Sequence, residues 1–270
     1  MRRADGFTLI EMIIAMVVTS IVGSMVAVFI ARPVQGYMDS VRRAGLSDVA
    51  DGVIKRLSME LRTAVPNSVR IDASGKFIEF IPAAESARYC TDTETGCSKL
   101  SFIAGDQTFD VLGPPHTGAS GDFIVVFNTG QDGLNAYAGD NIRLIANPGT
   151  TTTAIHFSGN RLPFPSPSNR FQIVRANGPV SFACENVGGT ATGTGTLRRY
   201  SGYRTSLPFG NIQPTTGLGT GGLIADRIAS CGFIYNPISP SEGIVSVNLT
   251  IRQANEPVSI VSQIHVDNLP

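Results

Sequence analysis

The chain has 270 residues, with 21 basic and 21 acidic side chains and no formal net charge, so the overall balance calls for neither nucleic acid nor an anionic surface as the main partner. Charged residues make up only 16 % of it, while glycine contributes 29 residues and proline 16, which favours a turn-rich β domain over charge-covered helices. Once an N-terminal leader and a long helix are set aside, about 200 residues remain for a globular unit.

Residues 1–6, MRRADG, form a short polar leader carrying Arg2, Arg3 and Asp5. From Phe7 to Ala31 the chain reads FTLIEMIIAMVVTSIVGSMVAVFIA, apolar nearly throughout, with Glu11 as its single ionisable side chain. A helix of that length is about 37 Å long, enough to cross roughly 30 Å of hydrocarbon with some tilt. The run therefore predicts a transmembrane helix over residues 7–31. A carboxylate in lipid costs a few kcal/mol, so Glu11 is expected to have a partner. Cleavage after the run, as in a secretory signal, is disfavoured because the run is too long and Phe29-Ile30-Ala31 is a poor cleavage site. Arg2 and Arg3 on one side face Arg32, Arg42 and Arg43 on the other, so loop charge alone does not orient the span.

Beyond Ala31, Pro33 and Gly36 predict a kink or a short unwound piece. Apolar residues then recur at three- and four-residue steps, at Val34, Met38 and Val41, then Leu46, Ala50, Val53, Leu57, Leu61 and Ala64, which marks one apolar helix face. Arg42, Arg43, Asp48, Asp51, Lys55, Arg56 and Glu60 lie opposite. Pro66 ends the helix, giving one long N-terminal helix over residues 7–66.

From residue 67 to 270 the period changes to two, predicting a single β-rich globular domain. Strands are expected at Lys76–Ile81, Asp122–Phe127, Ile142–Ala146, Thr153–Phe157, Phe171–Arg175, Val180–Cys184, Gly195–Tyr200 and Ser230–Tyr235. Turn signals such as Asp132-Gly133, Asn147-Pro148-Gly149 and Asn177-Gly178-Pro179 separate them. Gly243–Gln253 and Pro257–Asp267 flank Ala254-Asn255-Glu256 as a closing hairpin. The predicted fold class is α+β: one long helix packed on antiparallel sheet. The stretches Leu162–Ser168 and Thr190–Gly195 read as solvated loops. Gly217, Gly219 and Gly222 have dinucleotide-loop spacing, but no βαβ unit surrounds them, so Pro214–Gly222 reads as a flexible loop.

Four cysteines, Cys90, Cys97, Cys184 and Cys231, fall where the membrane helix would place them outside the cytoplasm. An oxidising compartment favours disulfides, and of three connectivities Cys90–Cys97 with Cys184–Cys231 is the most economical. The histidines, His116, His156 and His265, stand at no ligand spacing from a cysteine, so no metal is expected. No catalytic or phosphate-binding motif is present, so neither enzymatic activity nor a cofactor is expected. Leu197–Arg204 interleaves basic and aromatic residues as a base-stacking strand would; an exposed strand of a β domain is the commoner cause, and no nucleic acid is required. Asp132–Asn135 with Asp140-Asn141 offers oxygens to calcium but lacks the EF-hand spacing, so turns are expected there.

The junction Gly6-Phe7-Thr8-Leu9-Ile10-Glu11 matches the processing site of type IV prepilins and of the pseudopilins of type II secretion. The resemblance implies that a prepilin peptidase cuts between Gly6 and Phe7 and methylates the amine of Phe7. It also implies a cytoplasmic N-terminus, and a pairing of Glu11 with the cationic amine of a neighbouring subunit when helices bundle. Glu60-Leu61-Arg62, Gly195–Tyr200 and the closing hairpin through Ile264–Pro270 are similar to the large minor pilins. Most similar is that of the mannose-sensitive haemagglutinin (MSHA) pilus biogenesis system, with the J-type pseudopilin more distant. The implied protein is a non-enzymatic minor pilin that primes or caps a pilus. It would sit in the inner membrane by one span with a periplasmic head, then at a pilus tip or base. Its implied partners are the prepilin peptidase, other minor and major pilins, the inner-membrane assembly platform and membrane lipid. A type II secretion pseudopilin, or a pilus-tip subunit binding surfaces or DNA, are the alternatives.

Overall fold

The structure, a computed structural model, describes residues 8–103, 105, 107–146, 151–211, 218–239 and 241–270. Gly6 and Phe7 lie outside the described residues, as do the turn Asn147-Pro148-Gly149 and part of the Pro214–Gly222 stretch.

Helix α1 runs unbroken from Leu9 to Arg62. Of the two outcomes expected at Pro33 and Gly36, the unwound piece does not form: both residues lie within the continuous helix. A proline removes one amide donor and crowds one carbonyl, and the hydrogen-bond ladder on either side carries the helix through. The apolar face is buried at Leu46, Ala50, Val53, Leu57 and Leu61. The same stripe continues through Val34, Met38 and Val41, but these are at least half exposed, because the head ends before it reaches them. At the C-terminal end Thr63 caps the last turn, its hydroxyl donating to the Glu60 carbonyl at 2.8 Å, and Pro66 follows.

Among the described residues, thirteen strands come after the helix. In order they are β1 (Arg70–Ile71), β2 (Phe77–Phe80), β3 (Glu85–Tyr89), β4 (Thr108–Leu112), β5 (Phe123–Val125), β6 (Ile142–Ile145), β7 (Ala154–Ser158), β8 (Arg170–Val174), β9 (Val180–Glu185), β10 (Gly195–Ser201), β11 (Gly222–Ser239), β12 (Glu242–Gln253) and β13 (Glu256–Asp267). They build two units. A seven-stranded sheet has the order β1-β2-β9-β10-β11-β12-β13, and β3 to β8 close a barrel in the order β3-β4-β7-β6-β5-β8. All pairings are antiparallel. β2 and β9 pair directly, Phe80 opposite Val180, so the whole barrel is an insertion between two neighbouring strands of the sheet. Within it β8 lies beside β5 of the β5-β6-β7 meander, a Greek-key connection.

Helix α1 lies on the sheet. Leu57 and Leu61 pack with Ile78, Phe80, Phe182, Phe233, Val247 and Ile264 in the main core, and burying each such side chain is worth about 1.5–3 kcal/mol. The barrel interior is filled by Tyr89, Phe109, Phe157, Phe171, Ile124 and Ile173, all buried. A third cluster, with Val65, Ile81, Phe123, Val174 and Phe209, joins barrel to sheet. On the sheet face away from α1, Phe77, Ala183, Tyr200 and Leu218 are buried together.

The closing hairpin has a two-residue turn, Ala254 and Asn255, with φ of 50° and 66°. Left-handed backbone at both positions suits the twist of the flanking strands, and Ala254, which dislikes it, is held by its amide bond to Thr192 Oγ1. Two stretches read as solvated loops are anchored instead. Leu162 and Ser166 are buried, and the Ser166 amide donates to the Tyr89 hydroxyl at 2.9 Å. Gly193 and Gly195 are also buried; a Cβ on Gly193 would stand 2.1 Å from the Arg227 carbonyl, so that run is a tight crossing over β11.

Candidate functional site

From Thr8 to Val41 every described residue of the stem is exposed on the isolated chain, including Phe29 at 79 %. An apolar surface of that extent needs lipid or other helices to cover it, and the helix is long and apolar enough to cross a membrane. Its hydroxyls suit an apolar surrounding: Thr19 and Ser20 donate to the carbonyls of Ala15 and Met16, both at 2.7 Å, and Ser24 to that of Ile21 at 2.8 Å. Such back-bonding satisfies the hydroxyl within its own helix.

Thr8 is the N-cap, in extended backbone, and its Oγ1 accepts from the Glu11 amide at 3.4 Å. Thr8 Oγ1 in turn lies 3.5 Å from Glu11 Oε2. Threonine at the cap with glutamate three residues on is the capping-box pattern, legible in the sequence as T-L-I-E. Glu11 therefore has a local role at the helix start beside any role in assembly.

Residues 1–27 match the family model of the prokaryotic N-terminal methylation motif. The chain carries that motif. It spans the leader, the Gly6-Phe7 junction, Thr8, Glu11 and most of the apolar stem. Neither the curated proteins nor the solved structures gave a match to the chain. The motif is that of type IV pilin-like proteins, and it stands here at the head of a membrane-capable helix with a β-rich domain at the other end.

Both disulfides are present as paired in the sequence reading: Cys90–Cys97, with Cα atoms 6.3 Å apart, closes the loop TDTETG beside the barrel, and Cys184–Cys231, at 6.0 Å, joins β9 to β11 within the main core. Leu197–Arg204 is not an exposed strand: β10 lies in the middle of the sheet with Leu197 and Tyr200 buried. Its charged tips are occupied. Arg199 Nε donates to both oxygens of Glu60 at 3.0 and 2.8 Å, tying the helix end to the sheet. Arg198 lies 3.6 Å from Glu185, which also accepts from the Tyr200 hydroxyl. At Asp132–Asn141 the oxygens serve the backbone: Asp140 accepts from the Asn135 amide at 3.1 Å and Asn135 from the Tyr137 amide at 3.0 Å, so the acidic stretch makes turns. Among the described residues no group of three or more His, Cys, Asp or Glu side chains is placed to hold a metal.

Sequence reasoning missed a buried polar cluster beside the barrel–sheet junction. Glu79 on β2 is fully buried and ion-paired to Arg70 of β1, accepts from the Tyr203 hydroxyl at 2.8 Å, and has Arg204 at 3.7 Å. The Arg70 guanidinium lies 3.4 Å from the centroid of the Tyr137 ring, a cation–π contact that brings the barrel-side loop to the sheet. Burial and the neighbouring Glu79 carboxylate push the Tyr203 phenol well above its usual range. Burial and the Glu185 bond push Tyr200 up to about 12. Alternation around Lys76–Ile81 hinted at a strand with one wet face; nothing local announced that Phe77 and Glu79 would be covered by residues from 203 to 218.

Proposed function

We propose that this chain is a minor pilin, a non-enzymatic subunit that primes or caps assembly of a type IV pilus of the MSHA kind. In this reading the prepilin peptidase cuts between Gly6 and Phe7 and methylates Phe7. The stem over residues 7–31 then holds the protein in the inner membrane with residues 67–270 in the periplasm, until the stem leaves lipid for a bundle of other pilin stems. The observation that carries the reading is the exposed apolar stem headed by the methylation motif. Its surface is stable only in lipid or against other apolar helices, and an assembling fibre supplies the second after the membrane has supplied the first.

A head with a barrel inserted into its sheet is bulky for every position of a thin fibre, which favours low copy number at the tip or base. A pseudopilin of type II secretion uses the same stem logic and is the second reading. A DNA-binding tip subunit is the less favoured, because Arg198, Arg199 and Arg204 are already engaged with carboxylates. Deleting the gene tests the role: pilus number should fall sharply without change in the diameter of remaining pili. An epitope inserted at the exposed turn Asp132-Gly133 should label pilus ends or the membrane base. Labelling along the whole shaft would mark a major structural subunit instead.

A further inference from the structure

The end of the head nearest the stem's apolar half carries a cleft of about 400 Å³ between α1 and the sheet, lined by Met38, Val41, Arg42, Gly45, Arg227 and Gln253. Two guanidiniums converge on it. Arg42 Nη1 donates to Asp39 at 2.9 Å, while Arg227 donates to Asp226 at 2.9 Å and to Gln253 Oε1 at 2.5 Å. Among the described residues Nη2 of each has no hydrogen-bond partner. The acidic partners sit three and one residues away on the same elements and are about half exposed, so each pair is local and screened by solvent, the kind that contributes little by itself.

Arg227 is held there by an unusual backbone. Gly195 pairs with Ile228 and Leu197 with Ala225, so Asp226 and Arg227 together oppose Thr196 as a bulge, and Arg227 has φ 57°. A left-handed conformation is unfavourable for arginine, and a bulge re-aims the side chain it carries. Gly45, at the cleft's helix wall, has nothing within 4 Å of where a Cβ would stand, which keeps the wall open.

The cleft faces the membrane if the stem spans it. Glu256 at the start of β13 is ion-paired to Arg43 at 2.8 Å, while a groove lined by Arg62 and Asp267 marks the other end of β13; the bulge and the closing hairpin's turn therefore lie at the end of the head nearest the apolar stem. Arg42 stands eleven residues beyond Ala31, about 16 Å along the helix. With the tilt that fits the apolar run into the bilayer, that is about 13 Å above the hydrocarbon, of which the headgroup layer fills roughly 5–7 Å. An arginine that snorkels toward the membrane covers the remainder. The exposed apolar side chains Met38 and Val41 form the cleft's lower lip on the same helix.

We propose that this cleft binds the phosphate of an anionic phospholipid, with Arg42 and Arg227 on the phosphate and the Met38 side chain, a turn nearer the membrane, against the glycerol. The site would seat the head on the membrane before assembly and must release its lipid when the stem leaves. The proposal rests on the reading of α1 as a membrane span. A free phosphate would use the guanidiniums but has no use for the apolar lip, so a lipid is the occupant committed to.

The test uses the full chain purified from membranes in a neutral detergent, with retained phosphatidylglycerol and phosphatidylcholine counted by native mass spectrometry. Wild type should retain phosphatidylglycerol preferentially, and Arg42→Gln and Arg227→Gln should each lower that preference by about fivefold, as expected for one arginine near an anionic surface. Arg32→Gln, outside the cleft, should leave most of it. Arg227→Gly separates binding from folding: glycine relieves the left-handed strain, so thermal stability should hold or rise while lipid preference falls. Equal retention of the two lipids by wild type, unchanged preference in both cleft variants, or complete displacement by inorganic phosphate would overturn the proposal. Alkaline carbonate extraction of native membranes keeps the two readings apart. A chain that is extracted contradicts the membrane span itself, whereas one that stays in the membrane without lipid preference contradicts only the cleft.

Discussion

Glu11 carries two demands that substitutions can separate. As the third residue after the Thr8 cap it supports the start of α1, and glutamine serves that position nearly as well as glutamate. As the proposed counter-charge of a neighbour's amine it must be ionised. Glu11→Gln should therefore leave the protein processed and inserted in the membrane but poorly incorporated into pili, while Glu11→Ala should lose both roles. Normal pilus number with the glutamine variant as the only copy would count against the charge pair. Glu79 poses a different problem, since it is fully buried and faces two arginines. Removing it as Glu79→Ala leaves Arg70 and Arg204 without their buried counter-charge, at a cost of about 3–5 kcal/mol, measurable by urea unfolding of the intact chain. Tyr203 and Tyr200 set an alkaline limit. Their phenols are raised in the folded state, so the stability they contribute is fully present below the unfolded value near 10 and is lost as pH rises through that value toward the folded ones. The unfolding midpoint should hold up to about pH 10 and then fall, and the fall should be shallower in Tyr203→Phe; an unchanged slope would show that the phenol does not report the folded state.

At the scale of elements, the long helix and the closing hairpin were legible in the sequence because their signals are local. Leu46, Ala50, Val53, Leu57 and Leu61 repeat at helical steps, and Gly243–Gln253 and Pro257–Asp267 alternate without a break in register. Leu57→Ala should cost about 2–5 kcal/mol, while the same change in apolarity at Val41, exposed on the stem, should leave the head's stability unchanged. β11 was found only over Ser230–Tyr235, although it runs from Gly222 to Ser239. Its bulges shift register against β10 and β12, and each shift moves the apolar set to the other face, so the period of two disappears from the sequence while the strand continues. β3 and β4, with Glu85, Arg88 and Asp110 in short runs, were missed because barrel closure rather than local pattern pairs them. The disulfides were legible from compartment and spacing. In chain-entropy terms the Cys184–Cys231 bridge, closing the longer loop, should be worth about 4 kcal/mol and Cys90–Cys97 about 2.5 kcal/mol. Paired Cys→Ser variants compared by urea unfolding would expose a reversed order.

For the whole molecule, sequence reading gave an α+β protein with one long helix on antiparallel sheet, and the structure has that architecture. It did not resolve the head into a sheet and a barrel, because an insertion between β2 and β9 becomes visible only when Phe80 is seen opposite Val180. The methylation motif was legible because it is a contiguous stretch whose chemistry lies in the order of residues: a small residue, an aromatic, a capping threonine and a carboxylate heading an apolar run. The stem and head together describe a molecule whose largest apolar surface is left uncovered by its own fold, and the proposed function supplies the cover, first lipid and then other stems. That reading depends on removal of the polar leader while the stem is kept. Intact mass and N-terminal peptide mass spectrometry of the protein isolated from cell envelopes tests it directly. The mature chain should begin at Phe7, with its amine methylated. A chain still beginning at Met1, or one beginning after Ala31 with the stem removed, would contradict it.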